Sequence, residues 1–309
     1  MSIVLIDPAR NLDAWVRALQ GYDPHVKVEI WPEVRAPEAV AYALCWNQPA
    51  GILRKFPNLK AISSLGAGVN HLLNDPTLPP GVPLVRIVDA TLKQSMAEYV
   101  LLGILAHLRR YELYRQQQMC AEWTIQPALP SREKTIGIMG YGELGRHVGE
   151  RLSGFGFKVR GWRRSKCDAP SPVLYSGPEE RNAFLAASHI LVCLLPLTGE
   201  TANILDAELF AQLPEQAYLI NVARGEHLVE EDLLAALASG HLSGALLDVF
   251  RDEPLPPEHP FWNHDRITLT PHIASVTDPS SAAAQIIDNY HRARTGEPLQ
   301  HRVNELHGY

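Results

Sequence analysis

Three segments late in the chain carry side chains that could act together on a small anionic molecule. "LINVARGEHL" (219–228) holds Arg224, "GALLDVFRDEPLP" (244–256) holds Asp248 and Glu253, and "TLTPHIAS" (268–275) holds His272. Arginine presents a planar, permanently charged fork that matches a carboxylate. Histidine titrates near neutrality and can pass a proton to an oxygen that is becoming an alkoxide. A carboxylate beside it would favour the imidazolium and orient its ring. A fixed cation, a proton donor and an orienting acid are the groups needed to reduce a ketone next to a carboxylate, with Arg224 also able to polarise the ketone. Taken singly, each has a plainer reading. Arg224 could be a surface ion pair, His272 a structural histidine after a proline, and Glu253 a loop cap or salt bridge.

An earlier stretch supplies the missing reductant. "TIGIMGYGELG" (135–145) sets Gly140, Gly142 and Gly145 in a GxGxxG pattern between a strand candidate and the helix candidate "ELGRHVGERLSGFG" (143–156). Gly140 can make a tight turn, Gly142 offers no side chain to block a pyrophosphate, and Gly145 lets helix and strand pack closely. Amides at the helix start can then bind phosphate oxygens. Tyr141, Glu143 and Leu144 belong to the same candidate loop. The strand–loop–helix setting separates this pattern from a structural glycine turn.

The next strand candidate runs into "VRGWRRSK" (159–166). NAD-selective sites place an acid near the end of this strand, where it accepts from ribose hydroxyls. Arg163, 23 residues after Gly140, stands close to that position and is followed by Arg164, Ser165 and Lys166. An acid would repel a 2′-phosphate, whereas Arg163, Arg164 and Ser165 could bind one, with Lys166 adding diffuse charge. NADPH is therefore the preferred cofactor and NADH an admissible second. The bland alternative is a solvated surface loop. With a nicotinamide in place, Asp248 becomes a candidate for ordering its amide.

The elements that must position these groups follow from the hydrophobic pattern. The chain has 309 residues with 46% apolar composition, enough for one large domain or two of moderate size. A net charge of −6 gives no reason to expect nucleic acid or an anionic membrane as partner. Cys45, Cys120, Cys167 and Cys193 form no CxxC pair and no metal-ligand spacing, so no metal is expected. No secretory signal or spanning segment is visible, which makes the cytoplasm the default.

Strand candidates at 3–7, 27–31, 42–46, 59–65 and 83–88 alternate with stretches that can hold helices. The run 95–118 has the spacing of one long helix, apolar on more than one side in its centre and so expected to be well buried. A second alternation places strands at 135–139, 157–162, 189–195, 217–222, 244–249 and 267–271. Near-continuous apolar strands suit a parallel sheet covered on both faces. The stretch 280–296 reads as a closing helix that could return to pack on the first half. Ligands of such sheets bind beyond the C-terminal strand ends, so the three late segments can converge.

The glycine loop, "LLPLTGETANIL" (194–205), "INVARG" (220–225), "LLDVFRDEPLP" (246–256) and "PHIAS" (271–275), in this order, resemble the D-isomer-specific 2-hydroxyacid dehydrogenase family. "CWNQP" (45–49), "SSLGAGVNHL" (63–72) and "DATLKQSMAEYVL" (89–101) are similar to its bacterial members that reduce glyoxylate and hydroxypyruvate. The likeness runs through nearly the whole chain. It implies an α/β architecture in which a Rossmann-like NAD(P)-binding domain (97–278) is inserted into a smaller flavodoxin-like substrate domain (1–96 and 279–309).

It implies that Arg224 binds the substrate and lies near the cofactor, that Glu253 pairs with His272, and that His272 touches substrate and donates the proton. Asp248 would lie near the nicotinamide. The backbone at Val222 and Ala223 would lie along the cofactor, and Leu195, Pro196, Leu197 and Thr198 beside its adenosine and pyrophosphate. The loop of Leu65, Gly66, Ala67 and Gly68 would face the cleft between domains and donate amides to the substrate carboxylate, although alone it reads as an ordinary turn. Trp46 could close the small substrate pocket or be a core aromatic. The family is usually dimeric, and the long helix with "MCAEWTIQP" (119–127) is a plausible contact region. Arg163 departs from the NAD-preferring members, where an acid stands. The implied reaction is NADPH-dependent reduction of glyoxylate to glycolate and of hydroxypyruvate to D-glycerate. The alternatives are an NADPH-linked reductase of a larger 2-keto acid, and a non-enzymatic NADPH sensor on a dehydrogenase fold.

Overall fold

The computed structural model describes residues 1–127, 129, 133–164 and 173–304. The chain divides into two compact units. One joins Met1–Leu92 to the chain from Val276 onward, and the other is the continuous stretch Lys93–Ser275. These boundaries fall four and three residues before the sequence-based ones at 96/97 and 278/279.

Among the described residues the first unit holds strands β1 (Ser2–Ile6), β2 (Lys27–Ile30), β3 (Val40–Cys45), β4 (Ala61–Ser64) and β5 (Leu84–Val85). All pair in parallel in the order β2-β1-β3-β4-β5, the flavodoxin-like arrangement. β1 and β3 are buried along their whole length, which is why they read as unbroken apolar runs. The helix Pro279–Thr295 completes this unit. Asp278 accepts from the amides of Ser280 and Ser281, Pro279 opens the first turn, and Gly296 ends the helix at φ +80°. Its Ala282, Ala283, Ile286, Ile287 and Tyr290 pack against Ile3, Leu5, Tyr42 and Leu44. Each large apolar side chain buried this way contributes roughly 1.5–3 kcal/mol.

The second unit is built on β6 (Thr135–Met139), β7 (Lys158–Arg163), β8 (Val173–Ser176), β9 (Ile190–Cys193), β10 (Ala217–Asn221), β11 (Leu242–Leu247) and β12 (Ile267–Leu269). The order β12-β11-β10-β9-β6-β7-β8 is the doubly wound Rossmann order with one added strand, reversing direction between β6 and β9. Side chains alternate between two cores. Ile136, Ile138, Val192, Ile220 and Leu246 face one side of the sheet, and Met139, Leu191, Leu219 and Leu247 the other. β8 was not expected from the sequence, being a four-residue edge strand.

The run expected to form one helix forms two, Ala90–Leu108 and Tyr111–Met119. Arg110 between them takes φ +53°, and its Nε donates to the carbonyl of Pro127 (2.8 Å). The expectation of all-round burial is also corrected. Val100, Ile104 and Leu108 are inside, but Leu102 is 64% and Leu105 40% exposed. Among the described residues no helix is long and apolar enough to cross a membrane.

Candidate active site

The register of the second sheet explains how residues far apart in sequence share one edge. Trp162, Met139, Cys193, Asn221, Leu247 and Leu269 pair across neighbouring strands in a single row. One residue beyond that row stand Arg163, Gly140, Leu194, Val222, Asp248 and Thr270. Every candidate group of this unit lies on that edge or on the loops leaving it.

Gly140 sits at φ +96°, and a Cβ there would meet the Leu194 carbonyl oxygen at 2.5 Å. Gly145 faces the Gly140 carbonyl oxygen, which an added Cβ would meet at 2.3 Å. These two glycines press the helix Glu143–Gly154 onto β6. Gly142 differs, because a Cβ there would meet nothing within 4 Å. The loop therefore presents open space over Gly142 at a helix start that has no side-chain cap. An anionic pyrophosphate fits this place by shape and by the helix dipole.

Tyr141, expected beside the cofactor, has a buried ring. Its ring lies in the slot left by Gly149 and Gly161, and its amide, like that of Gly140, donates to the Trp162 carbonyl. Burial there pushes its phenol up to about 12. Glu143 turns to Lys93 (2.5 Å), and Leu144 packs partly against the core.

Arg163 ends β7, half-buried, and Arg164 follows it, exposed and 3.4 Å from Glu200. Two adjacent cations at this strand end, with no acid in their place, suit a 2′-phosphate. Ser165 and Lys166 lie outside the described residues. Leu195 is 7% exposed and its side chain joins the core. The half-buried turn of Pro196, Leu197 and Thr198 is tied by Thr201, whose hydroxyl donates to the Pro196 carbonyl (2.7 Å) and accepts from the Thr198 amide (2.8 Å).

Arg224 follows β10 in extended conformation. Asn221, fully buried, accepts from the Ala223 amide (3.2 Å) and donates to the Arg224 carbonyl (3.0 Å). Val222 and Ala223 are buried, and the Arg224 Nη1 donates to the Ala223 carbonyl (2.6 Å). Burial draws the guanidinium below its ordinary value while the charges of Glu226 and Glu253 pull it back up. It remains charged at neutral pH, as arginine does. Gly225 lets this segment touch the next one, since a Cβ there would meet the Phe250 carbonyl carbon at 1.9 Å.

His272 Nδ1 lies 2.8 Å from Glu253 Oε2, and Glu253 Oε1 accepts from the Phe250 amide (3.0 Å). Burial alone would raise the Glu253 carboxyl. The bonds from His272 and Phe250 and the charges of His272 and Arg224 outweigh it and hold the carboxyl below its usual range. With Nδ1 engaged by Glu253, Nε2 is the ring atom that can meet a substrate oxygen.

Asp248, expected near the nicotinamide, is hydrogen-bonded on both carboxylate oxygens. Its Oδ1 accepts from the Thr270 hydroxyl (2.6 Å) and the Ile273 amide (2.8 Å), and its Oδ2 from the Ala274 amide (2.8 Å). The carboxylate is committed to the turn that carries His272, whose backbone sits at φ +54°. Burial raises the Asp248 carboxyl, with those bonds and His272 opposing. Tyr99 extends the brace through a hydrogen bond to Thr270. Asn221, Thr201, Gly225, Thr270 and Tyr99 were not singled out in the sequence. Asn221 and Gly225 stand with Arg224 inside "INVARG", and Tyr99 stands inside "DATLKQSMAEYVL", but no residue type there marks it as a partner of Thr270.

In the first unit, Trp46 follows β3 and is half-buried between two groups. The Arg10 guanidinium lies 5.2 Å from its ring centroid, and the His71 ring 4.6 Å. A Cβ on Gly66 would meet the Trp46 ring at 3.2 Å. The Gly66 amide donates to Ser64 Oγ (3.1 Å), and that hydroxyl donates to the Gly68 carbonyl (2.7 Å). Among the described residues no group of three or more His, Cys, Asp or Glu side chains could hold a metal ion.

A doubly wound parallel sheet, a glycine cradle at its switch point and a carboxylate-paired histidine on the same edge define an NAD(P)-linked oxidoreductase. The family model for the D-isomer specific 2-hydroxyacid dehydrogenase NAD binding domain matches residues 101–274. Glyoxylate/hydroxypyruvate reductase A of Serratia proteamaculans is 43% identical, the match covering all of both chains. The crystal structure of a D-isomer specific 2-hydroxyacid dehydrogenase from Xanthobacter autotrophicus in complex with NADPH and MES is 39% identical. It has a TM-score of 0.95 and covers 100% of this chain and 99% of that one. The NADPH-dependent glyoxylate/hydroxypyruvate reductase of Sinorhizobium meliloti, in complex with NADP and sulfate, is 37% identical with a TM-score of 0.93 and full coverage of both. The chain belongs to the D-isomer-specific 2-hydroxyacid dehydrogenase family.

Proposed function

We propose that this chain reduces glyoxylate to glycolate and hydroxypyruvate to D-glycerate, with NADPH as preferred reductant. The observation that carries the reading is the 2.8 Å His272–Glu253 pair on the strand edge that also bears Arg224 and the glycine cradle. NADPH, when bound, supplies the hydride that adds to the keto carbon. The amides of Glu143, Leu144 and Gly145 would hold its pyrophosphate, the Gly142 amide being donated to the Gly140 carbonyl (2.8 Å), and Arg163 and Arg164 would hold its 2′-phosphate. Arg224 binds the substrate carboxylate through its fork and draws electron density from the ketone. His272 delivers the proton from Nε2 to the ketone oxygen, and Glu253 keeps the ring aimed without taking that proton. The Gly66 amide is used within its own loop.

The reading extends to assembly and place. A second copy of this chain covers the exposed apolar surface of Leu102, Met119, Trp123 and Ile125, where Trp123 is 96% exposed. The enzyme works in the cytoplasm. Initial rates followed at 340 nm with glyoxylate and hydroxypyruvate, comparing NADPH with NADH, test the activity. The expected result is turnover of both acids with a clear NADPH preference. Absence of turnover with either nucleotide overturns the reading. Sedimentation velocity should give a dimer.

A further inference from the structure

His227 belongs to none of the roles above, yet it is fully buried between two of them. It closes the short helical turn Gly225–His227 that follows Arg224. Its Nδ1 lies 3.2 Å from the Arg224 amide nitrogen, and its Nε2 lies 3.3 Å from the Pro196 carbonyl oxygen. Nε2 faces an acceptor, so Nε2 carries the proton and donates it. Burial disfavours the imidazolium and outweighs the two carbonyls that would stabilise it. Nδ1 of the neutral ring is therefore the acceptor for the Arg224 amide. The Arg224 carbonyl, also 3.1 Å from Nδ1, takes its hydrogen bonds from the Asn221 side chain (3.0 Å) and the His227 amide (3.3 Å) instead.

We propose that His227 is a positioning residue, whose neutral ring fastens the backbone of Arg224 to the turn at Pro196. This sets the carboxylate-binding guanidinium in register with the cofactor-facing turn. The proposal rests on the reading of Arg224 and of residues 196–198 given above. A buried histidine that only filled space would be replaceable by an apolar side chain of similar volume. This one uses both ring nitrogens, each on a different loop of the site. The two arms are chemically separable. An asparagine oxygen can reach the place of Nδ1 but not that of Nε2, and a glutamine amide can reach the place of Nε2 but not that of Nδ1.

The test uses purified full-length protein with His227→Leu, His227→Asn, His227→Gln, Arg224→Gln and the Arg224→Gln/His227→Leu double variant. Four quantities are read: KM for glyoxylate, kcat, the NADPH Kd by nucleotide fluorescence, and Tm. His227→Leu should raise KM by roughly tenfold, the scale of one lost buried hydrogen bond, with a smaller change in kcat. His227→Asn should hold KM within about threefold of wild type and weaken NADPH, while His227→Gln should do the reverse. In the double variant the leucine should add nothing to the KM of Arg224→Gln, because both act through one guanidinium. Equal behaviour of the Asn and Gln variants overturns the proposal, and so does a fully additive double variant. If His227→Leu does not fold, the Asn and Gln pair decides alone. An unchanged KM in Arg224→Gln instead sinks the underlying reading of Arg224, which keeps the two failures apart.

Discussion

The glycine cradle and the His272 turn sit on the same sheet edge and are built by opposite means. At 140–145 side chains are removed. Gly140 and Gly145 have backbone where a Cβ would go, and Gly142 faces open space, so peptide groups are what the loop presents. At 248–274 side chains are crowded together and pinned. Asp248, Thr270 and Tyr99 form a partly buried hydrogen-bonded chain against the turn of a histidine held at positive φ, and Glu253 holds its ring at Nδ1. A pyrophosphate is large and presents many oxygens, so a backbone surface suffices to hold it. A proton must leave one atom in one direction, which needs a braced side chain.

This contrast can be broken at either region. Replacing His272 by alanine should lower kcat by about 10²–10⁴-fold while leaving the NADPH Kd near wild type. Near-normal turnover by that variant would remove the proton-donor role. Arg224→Gln should lower kcat/KM by roughly 10²–10³-fold, the scale of truncating a buried charge that binds an anion, again with nucleotide affinity kept. Parallel loss of both would mean that Arg224 organises the cofactor side as well. Gly140→Ala should cost about 1–3 kcal/mol of stability and weaken NADPH roughly tenfold, because its Cβ meets backbone that cannot swing aside. An unchanged Tm would show that the turn is softer than its geometry implies. Removing both Arg163 and Arg164 should weaken NADPH by about tenfold and NADH hardly at all; equal losses would place the 2′-phosphate elsewhere. The smallest change is expected from Glu200→Gln. The exposed Arg164–Glu200 pair is worth about 0–1 kcal/mol, so freeing Arg164 should tighten NADPH by no more than about fivefold.

The two regions also differ in how legible they were. Gly140, Gly142 and Gly145 could be read directly, because glycine at fixed spacing reports a backbone shape, and the strand before and helix after them were plain from periodicity. Arg224, Glu253 and His272 were legible by side-chain type and by resemblance. Their braces were not. Nothing in Thr270 marks it as donating to the Asp248 carboxylate, which depends on the strand ends being in register, and nothing in Asn221 marks it as tying the backbone of Ala223 and Arg224. The placement of the Tyr141 ring was illegible for a related reason. It sits inside the glycine motif, but small residues at 149 and 161 open a slot that draws its ring inward. The run 95–118 misled because its apolar pattern continues past a backbone reversal at Arg110 that no residue type announces.

The placement of Lys93–Ser275 inside the other unit has a consequence for how the molecule is made. A ribosome releases the first sheet before Lys93–Ser275, but the helix Pro279–Thr295, which supplies Ala282, Ile286 and Tyr290 to that sheet's core, emerges only after that whole stretch. The nascent chain therefore finishes its inner unit while the outer one still exposes an uncovered apolar face. Substitutions in that late helix should be felt less in the native protein's chemistry than in how much of it survives synthesis, where chaperones have the longest time to act.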